Sequence, residues 1–264
     1  MAEFQDEIET QIIFVDNYTY EATHIFNANA FAETLKGEVG ACVTRMVIFR
    51  HSVREVCKTV SGDLDIFSRK LRENVDSLRD SAVNRSDLNL VCCHDNTHYI
   101  TAIFSSLIFL KSFLDIYSAL IAKSIKPNQR IVFRKGNVDG EKIAGGKFIN
   151  FLRNTAQAEY IDLSNIILRH SQSWIHLAVR YRDELVHNGD LPGLQRMRIS
   201  LRPEDPPYSD KDIEPPKMPN GVEVIEYVLG LSKNIHRFVE ETIPLIPNID
   251  MGLVDFREFP LGAD

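Results

Sequence analysis

The segment from Tyr99 to Ala122 limits the fold more than any other part of this sequence. It reads YITAIFSSLIFLKSFLDIYSALIA, and apolar side chains fill most of its positions. Lys111 and Asp115 interrupt it near the middle, where a charge would be costly in a lipid bilayer. We therefore predict a helix that a soluble protein buries on most sides, and we expect no membrane association. The helix is predicted to run from about residue 97 to 124, because Pro127 disfavours helical conformation in the residue before it.

Other segments repeat apolar residues every three or four positions, the period of an amphipathic helix. They predict helices over about 30–81 (broken once around Gly37–Gly40), 147–156, 162–186 and 222–242. Short strands are predicted at 10–15 and 194–202, and a glycine-rich loop is predicted from 127 to 146 with a possible strand at 130–133.

These elements predict a mainly α fold, a helical bundle with long N-terminal helices and a small excursion of strands and proline-rich chain. We expect an N-terminal helical region over 1–94, packed on a helical domain over 95–264 that carries the excursion at 194–221. The two parts are expected to form one compact body, because no linker or internal repeat separates them.

The cysteines and the N-terminal segment favour a cytoplasmic protein. The first residues, MAEFQDEIETQ, lack the basic and apolar regions of a signal peptide. Cys42, Cys57, Cys92 and Cys93 are interpreted as reduced and mostly buried thiols, since the adjacent pair is a poor disulfide.

No metal and no cofactor are predicted. The segment GEKIAGGK at 140–147 resembles a phosphate-binding loop, but its glycine spacing is one residue too long and Phe148 stands where a Ser or Thr is needed. Cys92, Cys93, His94 and His98 lack the paired spacing of a structural zinc site.

The charge of the chain is unevenly distributed. The net charge of -7 argues against indiscriminate nucleic-acid binding. Between Lys123 and Arg153, however, eight basic residues stand against two acidic ones, a local charge of +6 that leaves -13 for the rest. Such a segment attracts phosphate groups, although a charged loop that is merely solvated is the alternative.

The segment HLAVRYRDELVHNGDL at 176–191 carries the strongest functional signal. Arg182, Asp183 and His187 form the pattern R-D-x-x-x-H at the end of a predicted helix. This pattern resembles that of the HEPN superfamily, whose members are α-helical and often carry R-x(4–6)-H with a polar residue after the Arg. The segment LKSFLDIYSAL at 110–120 also resembles the helix that packs against the motif helix in this superfamily. The resemblance covers about residues 95–190.

The resemblance implies a metal-independent endoribonuclease, in a bacterial defence or toxin system, whose cleft forms where two protomers meet as a homodimer. His187 would be the general base on the RNA 2′-OH, an Arg would bind the scissile phosphate, and Asp183 would orient the imidazole. The residues expected to steer RNA are the basic ones of the 123–153 segment: Lys126, Arg130, Arg134, Lys135, Lys142 and Lys147. The alternative is a catalytically inactive HEPN-like module that binds nucleotide, RNA or a regulatory protein partner.

Two arginines compete for the phosphate-binding role. At 100° per residue, His187 lies about 40° from Asp183 and about 20° from Arg180 around the helix, whereas Arg182 lies about 140° away. The resemblance favours Arg182 and the helical geometry favours Arg180, so both remain candidates. The same residues also fit a helix-terminal salt bridge with no catalytic role, in which a charged His stabilises the helix C-terminus.

Overall fold

The chain is mainly helical, as predicted. The computed structural model describes residues 18, 22, 30–31, 35–81, 90–93, 97–155, 158–188, 196–199, 213–214, 216–246 and 249–250. The helices are α1 (Lys36–Ser81), α2 (Thr97–Ile125), α3 (Gly146–Arg153), α4 (Ala158–His170), α5 (His176–Asn188) and α6 (Val224–Thr242), with a π-helix (Ser171–Ile175) between α4 and α5. The strands are β1 (Ala30–Phe31), β2 (Leu90–Cys93), β3 (Gly136–Val138), β4 (Glu141–Ile143), β5 (Arg196–Ile199), β6 (Ile213–Glu214) and β7 (Ile249–Asp250).

The chain divides into two compact units. The first unit contains the described residues of Phe49–Ile108 and Arg180–Ser232, and the second contains those of Asn17–Ile48, Phe109–Val179 and Lys233–Asp264. Several helices contribute residues to both units. The division expected from the sequence, at residue 94, stays a prediction.

In the first unit, three short antiparallel strands form a sheet in the order β2–β5–β6. Strand β5 pairs with β2 over its full length, from Leu90 opposite Ile199 to Cys93 opposite Arg196. The alternation of apolar and basic residues thus located β5 correctly within 194–202. Strand β2 carried no comparable signal, because its sequence LVCC does not alternate apolar and charged residues.

In the second unit, residues of α2 lie in an aromatic core with α6. The Tyr117 ring stacks on Phe113 at 5.4 Å between centroids and meets Phe238 edge to face at 5.6 Å. Its buried hydroxyl lies 2.6 Å from Thr242 Oγ1, which donates to the Phe238 carbonyl oxygen at 2.6 Å. Because the Thr242 proton is used there, the Tyr117 hydroxyl is the donor between the two side chains. This hydrogen bond ties α2 to the C-terminal end of α6.

The segment 127–146, predicted as a loop, contains a β-hairpin that was not predicted. Strands β3 and β4 pair antiparallel around Asp139 and Gly140, whose φ angles of 52° and 89° are the positive values that a two-residue type I′ turn requires. The strand predicted at 130–133 was wrong. That stretch is instead bonded to α2 by Asp115, which accepts from the Phe133 N–H at 2.9 Å, and by Ser118, which donates to the Ile131 carbonyl at 3.2 Å.

The break predicted near Gly37–Gly40 is absent, because α1 begins at Lys36 and continues through both glycines. A helical glycine costs only about 1 kcal/mol relative to alanine. Burial of apolar side chains at the helical spacing, among them Cys42, Met46 and Phe49, offsets that cost.

Two of the four cysteine side chains and the long apolar helix predicted from the sequence lie in the described part of the chain. Cys42 and Cys57 are buried thiols, and burial raises the pKa of both. The strand predicted at 10–15 and most of the proline-rich stretch at 203–219 lie outside the described residues. Among the described residues, Ile100–Ile125 is long and apolar enough to cross a membrane, and the core helix of a soluble protein can meet the same criterion.

Candidate functional site

The residues of the predicted motif lie on α5 in the first unit. Tyr181 and Leu185 are buried, with 0% and 7% of their surface exposed, and they define the inner side of the helix. Arg180 and His187 are exposed on the other side, and Asp183 is half-buried. His187 lies in the last turn, one residue before the helix ends at Asn188. The helix therefore presents the candidate base towards its outer face.

The two candidate arginines have different surroundings. Arg180 Nε lies 3.4 Å from Glu184 Oε1, one turn along the helix, and 49% of the Arg180 side chain is exposed. Arg182 pairs through Nη2 with Asp183 Oδ1 at 3.1 Å, and 25% of its side chain is exposed. Arg182 Nε is buried and has no hydrogen-bond partner. The structure therefore brings Arg182 to Asp183, and it keeps Arg180 on the side of His187.

Two tyrosines lie behind Arg180. The rings of Tyr181 and Tyr227 pack edge to face at 5.6 Å between centroids, and the Arg180 guanidinium lies 5.5 Å from the Tyr181 ring centre. Both hydroxyls are buried without a hydrogen-bond partner. Burial raises the pKa of the Tyr227 hydroxyl, Tyr181 adds to this, and the charge of Arg180 opposes it. The guanidinium therefore contacts the Tyr181 ring and acts electrostatically on the Tyr227 hydroxyl.

The predicted RNA-binding residues all belong to the second unit, and all six are exposed. They are Lys126, Arg130, Arg134, Lys135, Lys142 and Lys147. The two other basic residues of the segment pair with acids: Lys123 with Glu38, and Arg153 with both carboxylate oxygens of Asp139 at 3.0 and 3.1 Å. The six exposed residues form the cationic surface of this segment.

This cationic segment is held in place by a buried core of its own. Phe133 is 2% exposed, and its ring lies 6.5 Å from that of Phe148. Gly145 has a φ of +75°, and a Cβ there would lie 2.3 Å from Phe133 Cζ. Gly136 packs as closely on the first residues of α3, which only a glycine permits. The backbone that carries the basic side chains is therefore held by tight packing of buried residues.

A buried histidine network, which the sequence did not predict, lies at the π-helix of the second unit. His170 has 6% of its side chain exposed and lies 2.9 Å, through Nε2, from Glu241 Oε2. The Trp174 indole N–H donates to His170 Nδ1 at 2.8 Å. Arg237 Nε donates to Glu241 Oε1 at 2.8 Å, and Arg169 pairs with the other carboxylate oxygen. The four-residue spacing of His170 and Trp174 was visible in the sequence, but nothing in it linked them to Glu241.

The donors fix the protonation of this network. Since His170 Nδ1 accepts from Trp174, the neutral ring carries its proton on Nε2 and donates it to Glu241. Burial lowers the pKa of His170, against the opposing effect of Glu241. Burial raises the pKa of Glu241, but its hydrogen bonds from His170 and Arg237 outweigh this and lower it to about 2. Both ring nitrogens are engaged, so His170 is a structural residue with no nitrogen free for acid–base chemistry.

Comparisons with protein-family models, with curated proteins and with solved structures gave no match. The resemblance to the HEPN superfamily therefore depends on two stretches of sequence, the motif segment at 176–191 and the segment at 110–120. Among the described residues, no group of three His, Cys, Asp or Glu side chains is placed to hold a metal ion. The side chains of Cys92, Cys93, His94 and His98 lie outside the described part of the chain.

Proposed function

We propose that this protein is a metal-independent endoribonuclease of the HEPN type, acting in the cytoplasm as a homodimer. The observation that carries the proposal is the arrangement on α5. His187 is exposed in the last turn of the helix, with the half-buried Asp183 one turn before it and the exposed Arg180 two turns before it. A base, an acid that can orient it and a cation thus follow one another along one side of a helix.

The chemistry follows from these residue types. The neutral imidazole of His187 removes the proton from an RNA 2′-OH, and the oxygen attacks the adjacent phosphorus. The bond from phosphorus to the 5′-oxygen of the next nucleotide breaks, leaving a 2′,3′-cyclic phosphate. The departing 5′-oxygen takes a proton from solvent to become a 5′-hydroxyl, and the His187 imidazolium returns its proton to solvent. The charge that grows on the phosphate oxygens is stabilised by an arginine. Asp183, one turn before His187, orients the ring.

In this proposal the active cleft forms between the motif helices of two protomers related by a two-fold axis. The six exposed basic residues of the 126–147 segment attract the phosphates of the RNA. A regulatory protein partner, in a bacterial defence or toxin setting, would restrain the activity.

One observation favours a second candidate function. Arg180 and Arg182 each pair with a carboxylate of their own helix, Glu184 and Asp183. Arginines used only in this way stabilise a helix surface and leave no catalytic cation. The protein would then be an inactive HEPN-like module that binds nucleotide, RNA or a protein partner.

Cleavage of RNA separates the two functions. The purified full chain is incubated with end-labelled RNA in EDTA, and we expect fragments with 2′,3′-cyclic phosphate ends. His187→Ala should abolish cleavage, whereas His51→Ala, which removes another exposed histidine, should retain it. RNA that stays intact but is bound would favour the inactive module. RNA that is neither bound nor cut would refute the nuclease and restrict the inactive module to a nucleotide or protein ligand.

The oligomeric state tests the cleft. Light scattering coupled to size-exclusion chromatography should give twice the chain mass of 30.1 kDa. Full activity in a monomeric fraction would refute the shared cleft while leaving the cleavage chemistry in place.

A further inference from the structure

We infer that Arg180, and not Arg182, binds the scissile phosphate, and that Arg182 is a positioning residue for Asp183. The inference rests on the proposed function, and it assigns the cation that this function requires. The sequence resemblance alone pointed to Arg182, so the assignment reverses the simplest transfer of the motif.

The orientation of α5 puts Arg180 and His187 together on its exposed side. Tyr181 and Leu185 are buried and fix which side of the helix faces inwards. His187 projects about 120° from Tyr181 and about 160° from Leu185, and is accordingly exposed. Arg180 lies about 20° from His187, whereas Arg182 lies about 60° from each of the buried residues Leu185 and Val179, between them. Arg180 is therefore the arginine that can contact a phosphate bound beside His187.

The terminal amino groups of Arg180 are placed to bind a phosphate. Its ion pair with Glu184 uses Nε, at 3.4 Å, and within the described part of the chain its two terminal amino groups make no hydrogen bond. These terminal groups are the ones that hold phosphate oxygens in a two-pronged contact. The Tyr181 ring beneath the guanidinium and Glu184 beside it restrict its rotamers. Less conformational entropy is then lost when a phosphate binds.

Arg182 would have to leave its observed position to bind a phosphate beside His187. Its terminal Nη2 is paired with Asp183 at 3.1 Å, its Nε is buried, and only 25% of the side chain is exposed. To reach the side of His187 it would have to break that ion pair and turn about 140° around the helix. In its observed place it holds the Asp183 carboxylate, which in turn lies one turn from His187. Arg182 therefore acts through Asp183.

Kinetics of single variants test the assignment. Arg180→Ala should lower kcat/KM for RNA cleavage by about 100-fold or more, as for the loss of one transition-state charge contact. Arg180→Lys should recover part of this loss, because lysine restores the charge without the two-pronged geometry. Arg182→Ala should lower kcat/KM by less than about tenfold, with a shifted pH–rate profile, because the orientation of His187 changes. Arg182→Lys serves as the milder variant if Arg182→Ala unfolds.

Binding of an RNA that cannot be cut separates this inference from the proposed function. The probe is a fluorescent 2′-O-methyl oligoribonucleotide, titrated at several salt concentrations. Arg180→Ala should reduce the slope of log Kobs against log salt by about 0.7, the value for one phosphate contact on a single strand. Arg182→Ala should leave the slope unchanged. Arg180 variants that equal the parent protein, or Arg182 variants that show both losses, would overturn the assignment. Absence of cleavage by the parent protein would refute the nuclease, and the salt slopes would still decide between the arginines.

Discussion

The buried network at the π-helix gives a quantitative prediction for Glu241→Gln. Glu241 accepts hydrogen bonds from His170 and Arg237, and these lower its pKa from an ordinary value of 4.5 to about 2. A shift of this size corresponds to at most about 3 kcal/mol of folding free energy at neutral pH. Arg169 and Arg237 are mostly exposed, so solvent screens part of their effect. We expect Glu241→Gln to lower the unfolding free energy by about 2 kcal/mol at pH 7.

The pH dependence of this loss has a definite sign. Because the folded pKa of Glu241 lies below the unfolded one, its stabilising effect is complete above about pH 4.5 and is lost as the pH falls towards 2. Glutamine resembles the protonated acid, so the difference between parent and variant should shrink to less than half of its neutral value by about pH 3.

Urea denaturation at pH 7 and pH 3, followed by circular dichroism, measures both differences. Glu240→Gln is the matched control, because Glu240 is the exposed neighbour on the same helix, and it should change the unfolding free energy by less than about 0.5 kcal/mol. Equal effects of the two variants, or a Glu241→Gln difference that stays constant down to pH 3, would refute the reasoning.

Four further outcomes follow from the second unit. The pKa of His170 is lowered by burial, so the parent protein should lose stability as the pH falls below about 6.5, and an NMR titration should show His170 still neutral there. Thr242→Val removes the Thr242 oxygen that accepts from the buried Tyr117 hydroxyl, and should cost about 1–3 kcal/mol in thermal unfolding. Gly145→Ala combines a φ of +75° with a close contact to a buried ring, and should destabilise by more than about 1 kcal/mol. Gly40→Ala, a helical position where a Cβ meets nothing within 4 Å, should instead stabilise by about 0.5–1 kcal/mol.

The long helices could be predicted from sequence because each shows its period over many turns. The end of α2 was predicted within one residue, at 124 against the observed Ile125, because Pro127 fixes it. The hairpin of β3 and β4 was missed although its Asp139–Gly140 turn is a strong local signal. The surrounding glycines and charges predict a loop, and three-residue strands are too short to show alternation.

The π-helix and its network could not be predicted for a different reason. A π-turn differs from an α-helix by one hydrogen-bond register, here the His176 N–H bonded to the Ser171 carbonyl, and leaves no period in the sequence. Glu241 lies 71 residues from His170, so only the folded chain brings its carboxylate to the ring. Long-range polar pairs of this kind depend on tertiary packing.

At the candidate site, the sequence determines which residues share one side of the helix, but it does not determine whether that side faces the core or the solvent. Spacing alone set Arg180, Asp183 and His187 on one stripe of a helix, but a stripe facing the core would make them a buried salt-bridge cluster. Burial of Tyr181 and Leu185 decides the orientation, because both project away from that stripe. The case for Arg180 as the phosphate-binding residue therefore depends on two side chains that take no part in the proposed chemistry.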